Sequence, residues 1–196
     1  MKLFCIVIFI IASSTNAYTQ VYFNGPVEFA GTGCGAGSYT VSGNDGTKIL
    51  SVLFSAYDAG NDAASGLQRS ACSFTVPIHV PAGYQISTMS ADWRGYGEGS
   101  VEFSREYFFA GKVGNRKTTT PSGDFTEQDQ DMQIGSCAEP RAKDILLRVN
   151  SAVLAADDGN YNYIVIDTVD QTLALTLELH VEKCSSPIPS IINLLL

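Results

Sequence analysis

The sequence contains little charge and few of the side chains that enzymes use most. Of its 196 residues only 16% are charged, two are histidine and one is tryptophan. His79 and His180 lie in neither an HExxH nor a GxSxG context, and no CxxC pair or Cys/His cluster suggests zinc. Serine and zinc hydrolases are therefore disfavoured, and the sequence predicts a protein that is not an enzyme and has no catalytic residues.

Carboxylates are the only catalytic groups present in number. A glycoside hydrolase needs two of them about 5 to 10 Å apart across a cleft, and Asp92, Glu98, Glu102 and Glu106 are the candidates. On the exposed face of an antiparallel sheet, however, such acids usually only solvate the surface. A glycoside hydrolase-like enzyme is thus the least favoured alternative.

Basic residues are scarce. Lys and Arg total 12 against 20 Asp and Glu, for a net charge of −8. Nucleic acids and anionic membrane surfaces both require basic patches, so neither is predicted as a partner. No apolar run is long enough for an ordinary membrane span, and no stable span is predicted.

The first 17 residues have the features of a secretory leader. One lysine precedes an apolar run from Leu3 to Ala12, and a small polar stretch ends at Ala17. We therefore expect cleavage after Ala17, a secreted or cell-surface protein, and one domain over residues 18–184, followed by an apolar tail at 185–196. If the leader is retained, its β-prone run is suited to pairing with a neighbouring molecule.

Four cysteines remain after removal of the leader. An even number in an exported chain indicates two disulfides, and four cysteines allow three pairings. Sequential pairing, Cys34 with Cys72 and Cys137 with Cys184, closes the shortest loops.

Apolar residues alternate with polar ones over most of the mature chain. In the stretch 72–80, Cys72, Phe74, Val76, Ile78 and Val80 share one face, and the stretch 171–184 repeats the pattern. This predicts an all-β, disulfide-bonded, two-sheet β-sandwich of jelly-roll or immunoglobulin-like kind, with a closed β-barrel as the alternative. Arg105 interrupts the apolar set of its segment, which indicates either a rim position or a β-bulge.

Two segments break the alternation and are predicted as loops, 59–70 and 111–135. The second contains hard oxygen ligands suited to calcium, although without EF-hand spacing: Asp124, Glu127, Asp129 and Asp131. It also contains hydroxyl residues around a proline that resemble an O-glycosylation stretch: Thr118, Thr119, Thr120 and Ser122. An ordinary solvated loop without calcium or glycan is the favoured alternative, and no cofactor is predicted.

Several short motifs occur together in a characteristic order. The stretches GTGCGAGS, LSVLFSAYDAG, CSFTVPIHVPAGYQ and DWRGYGEGS, followed by a strand that ends in Cys184, resemble the secreted family catalogued as domain of unknown function 4360. The resemblance implies an exported β-rich domain with paired cysteines and no established catalytic residues.

The hallmark xRGY segment of that family is matched by Trp93-Arg94-Gly95-Tyr96. Trp93 has two interpretations: a strand residue packed in the core, with Gly95, Gly97 and Gly99 easing a bend, or an exposed platform that binds a ligand together with Arg94 and Tyr96.

Two functions follow from these patterns. The first is a non-enzymatic extracellular structural protein that assembles into oligomers or filaments by exchange of terminal strands, since the tail 185–196 is apolar and β-prone. Packing of the tail on its own domain is the favoured alternative for the tail itself, and a stub of a lipid-anchor signal is disfavoured because the apolar stretch is too short. The second is a carbohydrate-binding module that uses Trp93, Tyr96 and other tyrosines to bind polysaccharide.

Overall fold

The computed structural model describes residues 20–64, 66–109, 112–114, 116–130, 142–166 and 174–184. The predicted leader and the tail 185–196 lie outside these residues. None of the described residues belongs to a helix long and apolar enough to cross a membrane.

The described residues form fifteen β-strands in two sheets. The first sheet contains β1 (Tyr22–Asn24), β2 (Glu28–Ala30), β4 (Asp45–Thr47), β7 (Arg69–Val80), β9 (Val101–Phe109), β10 (Lys112–Val113), β11 (Lys117–Thr119) and β13 (Lys143–Ala155). The second sheet contains β3 (Tyr39–Ser42), β5 (Ile49–Phe54), β6 (Asp58–Gly60), β8 (Tyr84–Glu98), β12 (Gly123–Asp129), β14 (Tyr163–Val165) and β15 (Leu175–Lys183).

All pairings between these strands are antiparallel. The first sheet has the order β10-β9-β13-β7-β1-β4, with β11 paired to β9 and β2 paired to β7; the second has the order β3-β5-β15-β8-β14-β6, with β12 paired to β8. The sheets pack face to face as a sandwich and do not close on themselves. The predicted β-sandwich is confirmed, and the alternative of a closed barrel is wrong.

The core is formed by the apolar faces that the alternation predicted. In β7 the inward residues from Cys72 to Val80 are all buried. In β15, Leu175, Leu177 and Leu179 are buried, whereas Val181 is only half-buried. The register of β15 on β8 shifts between His180 and Val181, which ends the strict alternation.

Strand β8 continues through the glycine-rich segment as far as Glu98. A Cβ atom at Gly95 would lie 2.2 Å from the carbonyl oxygen of Val165, and one at Gly97 would lie 2.8 Å from that of Pro121. Glycine is therefore required here for close backbone approach rather than for a bend. The chain turns only at Gly99, where φ is +77°.

The second predicted loop contains three strands, so that prediction is wrong, whereas the first overlaps strands only at its two ends. The segment 59–70 includes the end of β6 and the start of β7, and β10, β11 and β12 lie within 111–135. Strand β12 pairs with β8 along its whole length, from Gly123 opposite Gly97 to Asp129 opposite Ala91. It escaped detection because its inward positions include the acids Glu127 and Asp129, which are not apolar.

The first predicted disulfide is present. Cys34 and Cys72 are bonded, with their Cα atoms 5.4 Å apart, and the bridge ties the segment after β2 to β7. Cys184 is also disulfide-bonded, while its predicted partner Cys137 lies outside the described residues.

Candidate functional site

A buried ionic network connects the two sheets. Arg105 on β9 is 2% exposed and Asp129 on β12 is 1% exposed. Arg105 Nε donates to Asp129 Oδ2 at 2.6 Å, and Arg105 Nη2 donates to Asp129 Oδ1 at 3.0 Å. Nη2 also donates to Glu127 Oε2 at 3.0 Å, and Nη1 donates to Thr119 Oγ1 at 3.1 Å. The guanidinium is thus held on all sides by acceptors.

Aromatic side chains extend the network into the core. The Tyr107 hydroxyl donates to Asp129 Oδ2 at 2.6 Å and accepts a hydrogen bond from Trp93 Nε1 at 2.7 Å. Lys117 Nζ lies 3.3 Å from Asp129 Oδ1. Two cations therefore balance the carboxylates of Glu127 and Asp129, as burial of charge requires.

Arg105 occupies a regular inward position, so neither the rim nor the bulge expected from the sequence is present. Strand β9 keeps an uninterrupted alternation of buried and half-buried residues. Burial opposes the charge of Arg105, but the hydrogen bond with Asp129 and the charge of that carboxylate outweigh it, so its pKa is raised from the usual value. The arginine remains a cation inside the sandwich.

Two buried tyrosines should make the fold sensitive to alkali. Burial raises the pKa of Tyr57, and burial followed by the charge of Asp129 raises that of Tyr107 well above the ordinary value of 10.0. In the unfolded chain both phenols ionise near pH 10, so the unfolded state loses its protons first. The contribution of these two phenols to the free energy of unfolding is complete below about pH 10. It is lost as pH rises towards the pKa values that the phenols have in the folded protein.

We therefore expect the free energy of unfolding to fall above about pH 10, by up to about 1.4 kcal/mol per pH unit for each of these tyrosines. Urea denaturation at a series of pH values measures the slope. Tyr107→Phe should make it shallower, whereas an unchanged slope in this variant contradicts the assignment.

The predicted calcium ligands do not converge. Asp124 is exposed on the opposite face of β12 from Glu127 and Asp129, because alternate residues of a strand face opposite sides. Glu127 and Asp129 are engaged by Arg105, and Asp131 lies outside the described residues. Within the described ranges no group of three or more His, Cys, Asp or Glu side chains is arranged to hold a metal ion.

Trp93 is a core residue and not an exposed platform. Its side chain is 0% exposed and its ring meets that of Phe103 edge to face, with centroids 5.2 Å apart. Its only polar atom is used by Tyr107. Arg94 and Tyr96 have the opposite orientation and lie on the outer face of the second sheet.

Three tyrosines gather on that outer face, and we call this surface the tyrosine face: Tyr96 on β8, Tyr163 on β14, and Tyr161 just before β14. Tyr163 is paired with Glu98, the outward neighbour of Tyr96. Tyr161 is 45% exposed, and its hydroxyl lies within reach of the charge of Glu98. Two of these tyrosines were not singled out from the sequence, although strand alternation places Tyr163 outward.

Carboxylates fix the tyrosine hydroxyls. Tyr96 donates to Glu98 Oε2 at 2.9 Å, and Tyr161 donates to Asp62 Oδ2. These hydrogen bonds raise the pKa of Tyr96 and raise that of Tyr161 to about 12. Both phenols therefore stay protonated at neutral pH, with their rings oriented by the acids beside them.

Comparison with known proteins identifies the family. The family model described as Domain of unknown function (DUF4360) matches residues 24–184. The chain belongs to this family. This confirms the resemblance found in the sequence motifs, and the match spans almost all of the sandwich.

Two further proteins are similar to this DUF4360 domain. One, from Arthroderma benhamiae (strain ATCC MYA-4681 / CBS 112371), is described as an uncharacterized secreted protein; it is 28% identical over 173 residues, which are 82% of this chain and 71% of the relative. The other is a solved structure described as TmCBM61 in complex with beta-1,4-galactotriose. It has a TM-score of 0.39 and 13% identity, and the similarity covers 81% of this chain and 91% of the other.

The four acids considered for glycoside hydrolysis are spread over two surfaces of the DUF4360 domain. Asp92 and Glu98 lie on the outer face of the second sheet, and Glu102 and Glu106 lie on that of the first. Within each pair, the strand rise separates the Cα atoms by roughly 20 Å and 13 Å respectively. These separations exceed the distance that flanking carboxylates need.

The hydroxyl residues proposed for O-glycosylation divide into two groups. Thr118, Thr120 and Ser122 are exposed, whereas Thr119 faces inward and accepts a hydrogen bond from Arg105. Modification of the three exposed residues stays a prediction, and Thr119 is the least suited of the four.

Proposed function

We propose that this DUF4360 domain is an extracellular, non-enzymatic carbohydrate-binding domain whose saccharide surface is the tyrosine face. Extracellular placement is supported by the leader pattern of residues 1–17, by the Cys34–Cys72 bridge and by a relative described as secreted. Disulfides persist in oxidising compartments and are rare in the cytosol.

The observation that carries the proposal is the set of oriented tyrosines on one exposed sheet surface. A tyrosine ring presents an apolar face with a polar tip, which suits the apolar side of a pyranose ring flanked by hydroxyls. Glu98 and Asp62 have further lone pairs that accept hydrogen bonds from such hydroxyls. Asp124, opposite Tyr96 on β12, adds another acceptor at the border.

The absence of catalysis in this proposal is supported by the placement of the acids. The carboxylates of Glu127 and Asp129, which converge on one guanidinium, are occupied by Arg105 inside the sandwich. The acids of the tyrosine face accept hydrogen bonds from phenols, and the pairs Asp92 with Glu98 and Glu102 with Glu106 are too far apart along their strands. Such a surface binds a sugar without supplying an acid and base to one glycosidic bond.

Glycan-array screening followed by isothermal titration calorimetry tests the proposal. We expect the full chain to bind at least one neutral polysaccharide or its oligosaccharides, and Tyr96→Ala combined with Tyr161→Ala to weaken binding about tenfold or more. Tyr161→Phe keeps the ring and removes only the hydroxyl, so it should retain most of the affinity.

The matched control is Leu146→Ala, which removes an exposed apolar side chain, 59% exposed, from the opposite sheet. This variant should bind like the unaltered protein. The proposal is wrong if the unaltered protein binds no glycan, or if the double tyrosine variant binds as tightly as the control.

Assembly by strand exchange stays a prediction from the sequence. The segments that it requires, the retained leader and the tail 185–196, lie outside the described residues. Self-association is therefore not part of the function proposed from the geometry.

A further inference from the structure

The outer face of the first sheet contains a depression lined by small residues. Ala71 on β7, Ala152 on β13 and Ser104 on β9 are directly opposite one another in the register. Because these side chains are short, a groove of ≈ 310 Å³ lies above them. Its volume is at the small end of the range for ligand sites, about 300 to 1,000 Å³.

Arginines surround this groove, which we call the arginine groove. The exposed residues Arg69, Arg116 and Arg148 line it, with Glu106 as the acidic member. Arg105 also lines it, but its guanidinium is neutralised by Asp129 and Glu127. In a protein with a net charge of −8, the groove is a local concentration of positive charge.

Two of the guanidinium groups have no acidic partner among the described residues. In the part of the chain that the structure describes, neither Arg69 nor Arg148 forms an ion pair, while Arg116 Nη2 lies 3.8 Å from Glu106 Oε2. Arg148 is held in place: its Nε donates to Asn150 Oδ1 at 3.2 Å, and its Cζ atom lies 5.7 Å from the centroid of the Phe108 ring. The remaining nitrogen atoms of Arg148 are free to donate to a ligand.

Neutral polar groups complete the lining. Asn150 Oδ1 accepts hydrogen bonds from both Arg148 and Ser73, so the amide nitrogen of Asn150 remains as a donor. The hydroxyl groups of Ser73 and Ser104 are beside it. This combination of hydroxyls, an amide and guanidinium forks suits a ligand that has both hydroxyl groups and an oxyanion.

We propose that the arginine groove is a second binding site, specific for an acidic saccharide that bears a carboxylate or a sulfate group. A guanidinium fork donates two parallel hydrogen bonds to either oxyanion, and the serine and asparagine side chains meet the sugar hydroxyls. The site lies on the opposite sheet from the tyrosine face and does not depend on it.

Titration calorimetry of the full chain with three oligosaccharides tests the groove: a galacturonate oligomer, a sulfated galactan oligomer and a neutral galactan oligomer. We expect one of the two acidic oligomers to bind more tightly than the neutral one, and binding to weaken as NaCl is added. Arg69→Gln combined with Arg148→Gln should weaken that binding about tenfold or more. Comparison of the two acidic oligomers distinguishes carboxylate from sulfate recognition.

Arg94→Gln is the control, because it removes an exposed arginine from the second sheet. It should change the affinity by less than about twofold, and Tyr96→Ala combined with Tyr161→Ala should leave acidic binding intact. Thermal melting confirms that the exposed substitutions leave the protein folded. The proposal is overturned if neither acidic oligomer binds, or if the neutral oligomer binds as tightly as the acidic ones to the variant that combines Tyr96→Ala with Tyr161→Ala. It is also overturned if Arg94→Gln weakens acidic binding as much as the groove variant does.

Discussion

Replacing Asp129 with alanine is expected to lower the free energy of unfolding by about 3 to 5 kcal/mol, because it removes the buried carboxylate that accepts two hydrogen bonds from the buried guanidinium of Arg105. The same change removes the acceptor of the Tyr107 hydroxyl and a counter-ion of Lys117. Glu127 alone remains as the acidic partner of the arginine.

Urea denaturation followed by fluorescence measures this effect, since the single tryptophan lies two hydrogen bonds from Asp129. Circular dichroism provides a signal that does not depend on the substituted network. Asp124→Ala is the matched control: it removes an acid from the exposed face of the same strand and should change stability by no more than about 0.5 kcal/mol. Equal effects of the two substitutions contradict the structural role of Asp129.

A double-mutant cycle measures the interaction energy between Arg105 and Asp129 apart from their interactions with other residues. Arg105→Met leaves the buried Asp129 with Lys117 as its remaining cation and without two of its hydrogen bonds, so each single change is expected to be severe. The combined variant Arg105→Met and Asp129→Leu removes both charges together, and its loss of stability should be clearly smaller than the sum of the two single losses. Additive losses are evidence against a direct interaction.

Replacing both Cys34 and Cys72 with alanine is expected to cost about 4 kcal/mol, because the bridge closes a long loop in the unfolded chain. The two cysteines are separated by 38 positions, and the loop-entropy relation gives this magnitude for that length. Alanine is chosen because both side chains are 1% exposed, so serine would add two buried hydroxyl groups.

Denaturant unfolding of the double alanine variant and of the unaltered protein under non-reducing conditions measures this contribution. Full reduction of the unaltered protein also opens the bridge at Cys184. The free energy of unfolding of the reduced protein should therefore be lower than that of the double alanine variant. A loss of less than about 1 kcal/mol in the double variant is inconsistent with the entropic account.

Period-two patterning predicted the parts of the fold in which each strand has one apolar face. Strands β7 and β15 are examples, because inward and outward positions follow from local backbone geometry alone. The Cys34–Cys72 pairing was equally accessible, since loop length favours it whatever the surrounding fold is. The family motifs were also recognisable from the sequence, because each is a contiguous stretch of residues.

The strand β12 and the role of Arg105 were not predicted. A charged residue at an apolar position is consistent with a rim, a bulge or an internal ion pair, and the partner decides among these. Asp129 is 24 positions from Arg105 and belongs to the other sheet, so no local pattern connects them. The same holds for the tyrosine face, where Tyr96 and Tyr161 are far apart in the chain.

The sequence by itself determined the export signature, the family, the two-layer β architecture and the first disulfide, because each depends on composition or short-range order. Only the tertiary structure decided that Trp93 is internal, that the acids of β12 neutralise a buried arginine, and that exposed arginines from distant segments line one groove. Those outcomes depend on which side chains from distant strands come within hydrogen-bonding range, and this is set by sheet pairing and packing.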